Sequence, residues 1–470
     1  MSEFMPRKTT SLIPALLLCG AALSVAVAQF VFGVRLQGYK AAYDGAFAVA
    51  ALSQFQNEVF NGDLLPRWVA SGHGGLGSPV FFFYPPGSFA LATALSAPFG
   101  LSPATTIGFM GILLRAAGLL GCAAWLRLRA SSRVALTGGA LYVLMPYVAV
   151  AHPQIRLAFA ECASAVLVPV AFLALEFGNR RPRMLIPAVA LAVAGLATVH
   201  LPMTVIAGGM LLIYAAASLD RWRDASVHLA RVGLGILLGL GLAGFTIAPA
   251  LALLPEISQA ALWDPGHEPM NNFLLDFSHG HRSFFDLFLD ISLLVPVLMP
   301  CLLAFACGPP KNFGRTLSAV FVFSIFLTLP ISWVVWAVPS PLRYVQFPTR
   351  VVVVISLLGG DYCAPASKLF AYVPAFDIRG GFRAGGRVDR SRSSARRRHA
   401  VWRGAHERRP PKPRRQRLGI HADRAGSSRL VSLRAGGRKL PGTGAGIHLA
   451  MRTRTSRAGN ISSGGNADDI

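Results

Sequence analysis

Charge is scarce in this 470-residue chain: 14% of its residues are charged, and 21 are acidic. Beside 53% hydrophobic residues and a mean hydropathy of +0.50, that scarcity excludes an ordinary soluble domain. Cysteine is rarer still. Five of the six cysteines lie within apolar runs, with no C-x-x-C pair and no Cys/His spacing suited to zinc, so they read as small buried hydrophobes. Acidic residues offset the 45 Lys+Arg so poorly that the formal charge is +24, which taken alone points to nucleic acid. Its distribution argues otherwise. Residues 361–470 hold 24 basic and 7 acidic groups, whereas residues 1–360 hold 21 and 14. The basic character belongs mainly to the last quarter, and no specific nucleic-acid partner is expected.

What is present is length in apolar runs. A span needs about 20 mostly apolar residues, and such runs occupy 12–34, 104–126, 134–151, 157–178, 184–200, 203–219, 232–253, 284–307 and 316–338, with another opening near 350. The expected fold is all-α, a polytopic bundle of about nine to ten spans. Ala26-Val27-Ala28 resembles a signal-peptidase site, but the apolar run continues through Phe32, which favours an uncleaved first helix. The basic connections Arg127/Arg129/Arg133, Arg180/Arg181/Arg183, Arg221/Arg223/Arg231 and Lys311/Arg315 fall on the cytoplasmic side, with Arg7 and Lys8, only if 80–101 does not cross. The aromatic cluster Phe81 to Pro86 therefore starts a re-entrant or interfacial helix, and the N-terminus is cytoplasmic.

That topology sends the polar residues outward. The large first outer loop (35–103), 152–156, His200, 254–283 and 339–349 carry most of them, including His152. Segment 46–60 suits an amphipathic helix on the membrane. Asp44, just before it, is either that helix's cap or a carboxylate poised to accept a hydroxyl proton. Mid-span, Arg115 calls for a partner, Glu161 or Glu176. His267, His279 and His281, with Asp264, Asp276 and Asp286, are too irregularly spaced for a metal site; no metal or cofactor is expected. After residue 360 periodicity stops. Arginine runs among Gly, Ala, Ser and Pro read as a disordered tail or as a frameshifted product of GC-rich DNA. The chain therefore divides into a membrane domain, 1–360, and a tail, 361–470.

Three segments carry a resemblance. Asp44-Gly45, Gly62-Asp63-Leu64-Leu65-Pro66-Arg67-Trp68, Gly75-Leu76-Gly77-Ser78-Pro79 and Phe83-Tyr84-Pro85-Pro86 form the first; Arg156 to Glu161 and Gln346-Phe347-Pro348-Thr349-Arg350 follow. In this order they resemble GT-C type membrane glycosyltransferases, and most nearly the bacterial pyruvoyl-tetrahydropterin synthase-related, YfhO-like membrane protein family. Two positions depart from its pattern: Gly45-Ala46-Phe47 lacks a second acidic or His residue, and Thr349 stands where Trp is usual. The resemblance implies a multi-pass protein of a bacterial inner membrane that takes a polyprenyl-phosphate sugar donor and a glycan, lipid or protein acceptor at its periplasmic face. It implies Asp44 as catalytic base and Arg343 and Arg350 as phosphate ligands, with Arg67, His73, Tyr84, Arg156, Glu161, His200 and Gln346 around the substrate. A lipid-linked-sugar flippase and a non-catalytic, truncated membrane protein are the alternatives.

Overall fold

The computed structural model describes residues 12–33, 42–218, 222–258, 266–278, 283–307 and 314–364. Asp264, His279, His281, Lys311 and the arginine-rich region after 364 lie outside these residues. The helices are α1 (Ile13–Val31), α2 (Gly45–Phe60), α3 (Gly72–Gly75), α4 (Val80–Phe83), α5 (Gly87–Ser96), α6 (Pro103–Arg127), α7 (Ser132–Leu144) and α8 (Phe159–Arg180). They continue with α9 (Leu185–Val199), α10 (Leu201–Ala217), α11 (Trp222–Leu242), α12 (Gly244–Ala252), α13 (Phe284–Cys307), α14 (Arg315–Thr328), α15 (Trp333–Ala337) and α16 (Val352–Cys363). A π-helical segment, Tyr147–Arg156, links α7 to α8.

The chain is an all-α polytopic bundle. Among the described residues six helices are long and apolar enough to cross a membrane, rising to eight if α11 with α12 and α14 with α15, bent by 72° and 92°, each form one span. The sequence count of nine to ten is higher because α10, at 17 residues, and α16, at 12, fall short of full spans. Gly87–Phe99, the apolar helix of the first loop, is about 20 Å long and too short to cross a core of about 30 Å.

Glycine sets the spacing of the main bundle. A Cβ on Gly139 of α7 would lie 2.5 Å from the Leu119 carbonyl of α6, and one on Gly239 of α11 would lie 2.6 Å from the Ala190 carbonyl of α9. Without side chains the backbones approach closely, as membrane helices need when lipid offers no hydrophobic drive. Outward-facing leucines and phenylalanines, such as Leu17, Leu120, Leu191, Leu237 and Phe305, remain exposed. α16 is the reverse: Val351 through Gly360 are all buried, the mark of a helix apolar on every side and enclosed by others.

α16 also runs three residues past the sequence boundary at 360. Its Asp361 is paired with Arg129 at 3.3 Å, while Arg129 lies 3.3 Å from Glu176 and 4.3 Å over the Trp125 ring. The Tyr214 hydroxyl donates to Glu176. This inner cluster ties the α6–α7 corner to α8, α10 and α16.

A second, smaller core caps the outer end. Phe55 of α2, Phe81 of α4, Phe89 of α5 and Phe159 of α8 meet in edge-on contacts, with ring centroids 5.0 to 5.5 Å apart. Burying each ring stabilises the cap by roughly 1.5–3 kcal/mol, which holds the first loop over the start of α8. Part of the first-loop motif is structural. Gly77 has φ +86, and a Cβ there would fall 2.3 Å from the Trp68 ring, so the Gly-Leu-Gly turn exists to seat that indole.

Candidate functional site

Glu161 is the centre of the outer cluster. Pro146 excludes continued α-helix at Met145, and the chain resumes as the wider π-helix Tyr147–Arg156, a form often found at functional sites. Bonding of the i→i+5 kind stacks Tyr147 and His152, with ring centroids 4.2 Å apart. Leu157, a branched residue at φ +51, then reverses the chain into α8. A left-handed leucine costs about 1 kcal/mol or more and persists only where its surroundings require it. That turn places Glu161 in the first turn of α8, where the helix dipole favours a carboxylate.

Glu161 is 1% exposed and has four neighbours with protons to offer. Arg156 Nη1 stands at 3.3 Å, Arg350 Nε at 3.2 Å, His152 Nε2 at 2.9 Å, and the Tyr147 hydroxyl donates from 3.4 Å. The histidine contact is close but off the N–H axis, so it is a polar contact rather than a linear hydrogen bond. Arg350 also donates to the Val345 carbonyl, and the Arg156 and Arg350 guanidiniums both lie over the Phe347 ring, at 5.3 and 4.8 Å.

Asp44 reaches the cluster through the backbone. The Tyr43 and Asp44 amides donate to the Ile155 and Arg156 carbonyls at 3.0 and 2.7 Å. Although Asp44 occupies the N-cap position of α2, its side chain makes no capping bond. Its carboxylate, 44% exposed, faces Arg156 Nη2 at 3.6 Å. Of the two sequence readings of Asp44, the cap is therefore set aside.

Two cavities meet at this pair. The outer one, about 720 Å³, is bordered by Tyr43, Asn271, Asn272, Asp276, Asp286 and Phe347, among others. The inner one, about 150 Å³, is bordered by Tyr84, Phe89, Glu161, His200 and Arg350. Asp44 and Arg156 border both. The outer chamber offers carboxylates, carboxamides and aromatic faces; the inner one offers two arginines. His200 is buried, and its Nδ1 accepts from the Met203 amide at 3.2 Å, so it caps α10 as a neutral imidazole. Burial, reinforced by the Arg350 charge, pushes its pKa down to about 3. Burial likewise pushes the Tyr84 phenol up, so it stays protonated.

Six of the ten site residues named from sequence thus converge: Asp44, Tyr84, Arg156, Glu161, His200 and Arg350. Four do not. Arg67 donates to the Phe81 and Phe245 carbonyls and ties the first loop to α12. His73 is exposed in the tight turn at φ +49. Arg343 and Gln346 lie on and just after the turn Pro341–Val345 and border neither chamber, so Arg343 is not positioned with Arg350. The chambers add Asn271 and Asn272, and the cluster adds Tyr147 and His152. Pro146 and Pro153, interrupting one apolar run, were the signal that could have marked the π segment. Arg115 pairs with neither expected glutamate: Arg156, Arg350 and His152 surround Glu161, and Arg129 takes Glu176.

No model of a known protein family matches this chain, and no curated protein matches it significantly. The class defined by the fold is a polytopic helical membrane protein with a buried, arginine-rich site at the end of the bundle that carries the first loop.

Proposed function

We propose that the chain is a GT-C-like glycosyltransferase that draws on a polyprenyl-phosphate-linked sugar at the outer face of the membrane. The observation that supports this reading is the shared wall of the two chambers, where a carboxylate and an arginine both face a cavity of about 720 Å³. Such a volume suits a substrate of several rings. The donor's phosphate would lie against Arg156 and Arg350, whose guanidinium forks suit phosphate oxygens. Its sugar would face the carboxamides and aromatic rings of the outer chamber. The acceptor hydroxyl oxygen attacks the anomeric carbon while the bond to the phosphate oxygen breaks. The lipid phosphate departs with the electron pair, stabilised by the arginines, and the hydroxyl proton passes to Asp44.

Proteoliposomes containing the purified chain, supplied with a panel of polyprenyl-phosphate hexoses and candidate acceptors, test the reading. Transfer that disappears in Asp44→Asn supports it. Donor movement across the bilayer without transfer would replace it with a flippase, and full transfer by Asp44→Asn would remove Asp44 from the mechanism.

A further inference from the structure

Arg115 lies near the middle of α6 and is 7% exposed, at a depth where a charge is expensive. Its Nη2 donates to the Ala149 carbonyl at 3.0 Å, the same oxygen that Gln29 Nε2 reaches at 2.7 Å. Its Nη1 is buried and has no hydrogen-bond partner. His152, 1% exposed, presents a second such atom: its Nδ1 is also buried and unpartnered. Both side chains border one cavity of about 40 Å³, together with Gly118, Tyr142 and Cys162. Leaving a buried donor or acceptor unmet costs about 1–3 kcal/mol, so two beside one cavity call for a common occupant.

The protonation pattern identifies its chemistry. His152 Nε2 lies 2.9 Å from a Glu161 oxygen, and two lone pairs cannot meet there, so Nε2 carries the proton. In the neutral imidazole Nδ1 is then a bare acceptor, whereas the arginine Nη1 can only donate. One molecule that accepts from the first and donates to the second satisfies both. Water does so, and the cavity is large enough for one, which needs about 10–15 Å³. A halide only accepts. It would demand a second proton on His152, creating an imidazolium beside a cluster that already holds Arg156 and Arg350.

We infer that a buried water bridges Arg115 to His152, and that Arg115 is a positioning residue for the outer site. Through this water the mid-membrane guanidinium keeps His152 in the tautomer whose Nε2–H faces Glu161, and Glu161 in turn orients Arg156 and Arg350. The inference rests on the cluster's geometry and holds whichever reaction the site performs; a failed transferase assay leaves it standing.

Nitrogen NMR on the full chain in nanodiscs, with labelled histidine and His152 assigned by its loss in His152→Asn, tests this. The wild type and Arg115→Lys should show one Nε2–H tautomer, with Nδ1 displaced from the free-imine position by an accepted hydrogen bond. Arg115→Leu should return Nδ1 to the free position or mix the tautomers. An identical Nδ1 signal in Arg115→Leu would overturn the coupling. A protonated Nδ1 in the wild type would overturn the proposed bridge, in which the water donates to Nδ1. Water-edited spectra of the wild type serve if Arg115→Leu does not fold: transfer from water to the His152 ring is expected, and its absence overturns the proposal.

Discussion

The molecule has two buried ion clusters built from the same residue types, one at each end of α8. The inner one sets Arg129 between Glu176 and Asp361, against the Trp125 ring and with the Tyr214 hydroxyl on Glu176. It borders none of the cavities described above. At the outer end Glu161 is shared by Arg156 and Arg350 and opens, through Asp44, onto two chambers. Inside, two carboxylates surround one cation; outside, two arginines surround one buried carboxylate, and half-exposed Asp44 faces one of them. A cluster with surplus acid and no space is a staple. A cluster whose arginines border a cavity can offer their remaining donors to an anion, and that difference separates architecture from site.

Removing the central acid at each end should break the comparison most severely. Glu161→Ala strands two buried guanidiniums and should cost about 3–5 kcal/mol, read as a fall in unfolding temperature in detergent. Glu176→Ala should cost a similar amount. Only the outer variant, refolded or rescued at low temperature, should lose phosphate-donor binding by more than tenfold. Equal loss of binding in both would erase the distinction.

Asp44→Asn separates chemistry from stability. Loss of a general base lowers rates by roughly 10²–10⁴, whereas a half-exposed ion pair contributes only about 0.2–1 kcal/mol. Transfer assays should therefore collapse while the thermal midpoint barely moves. A midpoint shift as large as that of Glu161→Ala would make Asp44 structural.

Arginine geometry sharpens the contrast further. Arg350→Lys loses the contact with Phe347 and the fork that reaches both Glu161 and Val345. Donor affinity should fall about tenfold or more, while Arg129→Lys should leave affinity unchanged. An effect of equal size at Arg129 would argue for a site at both ends.

The smallest effect concerns pH. His200 has a folded pKa near 3, below the unfolded value of about 6.5. The unfolded chain therefore binds the proton that the folded one refuses. Stability should be constant above pH 6.5 and fall as pH drops from 6.5 toward 3. His200→Asn, which keeps a cap acceptor, should flatten this slope in unfolding curves. An unchanged slope would assign the acid sensitivity to other groups.

Much of this was readable along the chain because it follows from local physics. Apolar runs of membrane length and the short aromatic stretch after Phe81 specify helices and a loop helix too short to cross. Asp44, Arg156, Glu161, His200 and Arg350 stand out as polar residues at span ends. Arg67 and His73 stand out for the same reason, yet one serves as a strut and the other faces outward. Polarity near an interface does not say which way a side chain is turned.

Local sequence thus determined the all-α class, the approximate spans and the roster of outer polar residues. The tertiary structure alone decided which of them meet. Glu161 and Arg350 are 189 positions apart and are joined only because α16 is buried beside α8. His152 faces Glu161 only because a π-helical turn shifts its register, and Arg115 meets the Ala149 carbonyl rather than either glutamate because both acids are already surrounded. Helix formation depends on neighbours within a few residues. The pairing of buried charges depends on which helices pack together, and periodicity carries no record of that choice.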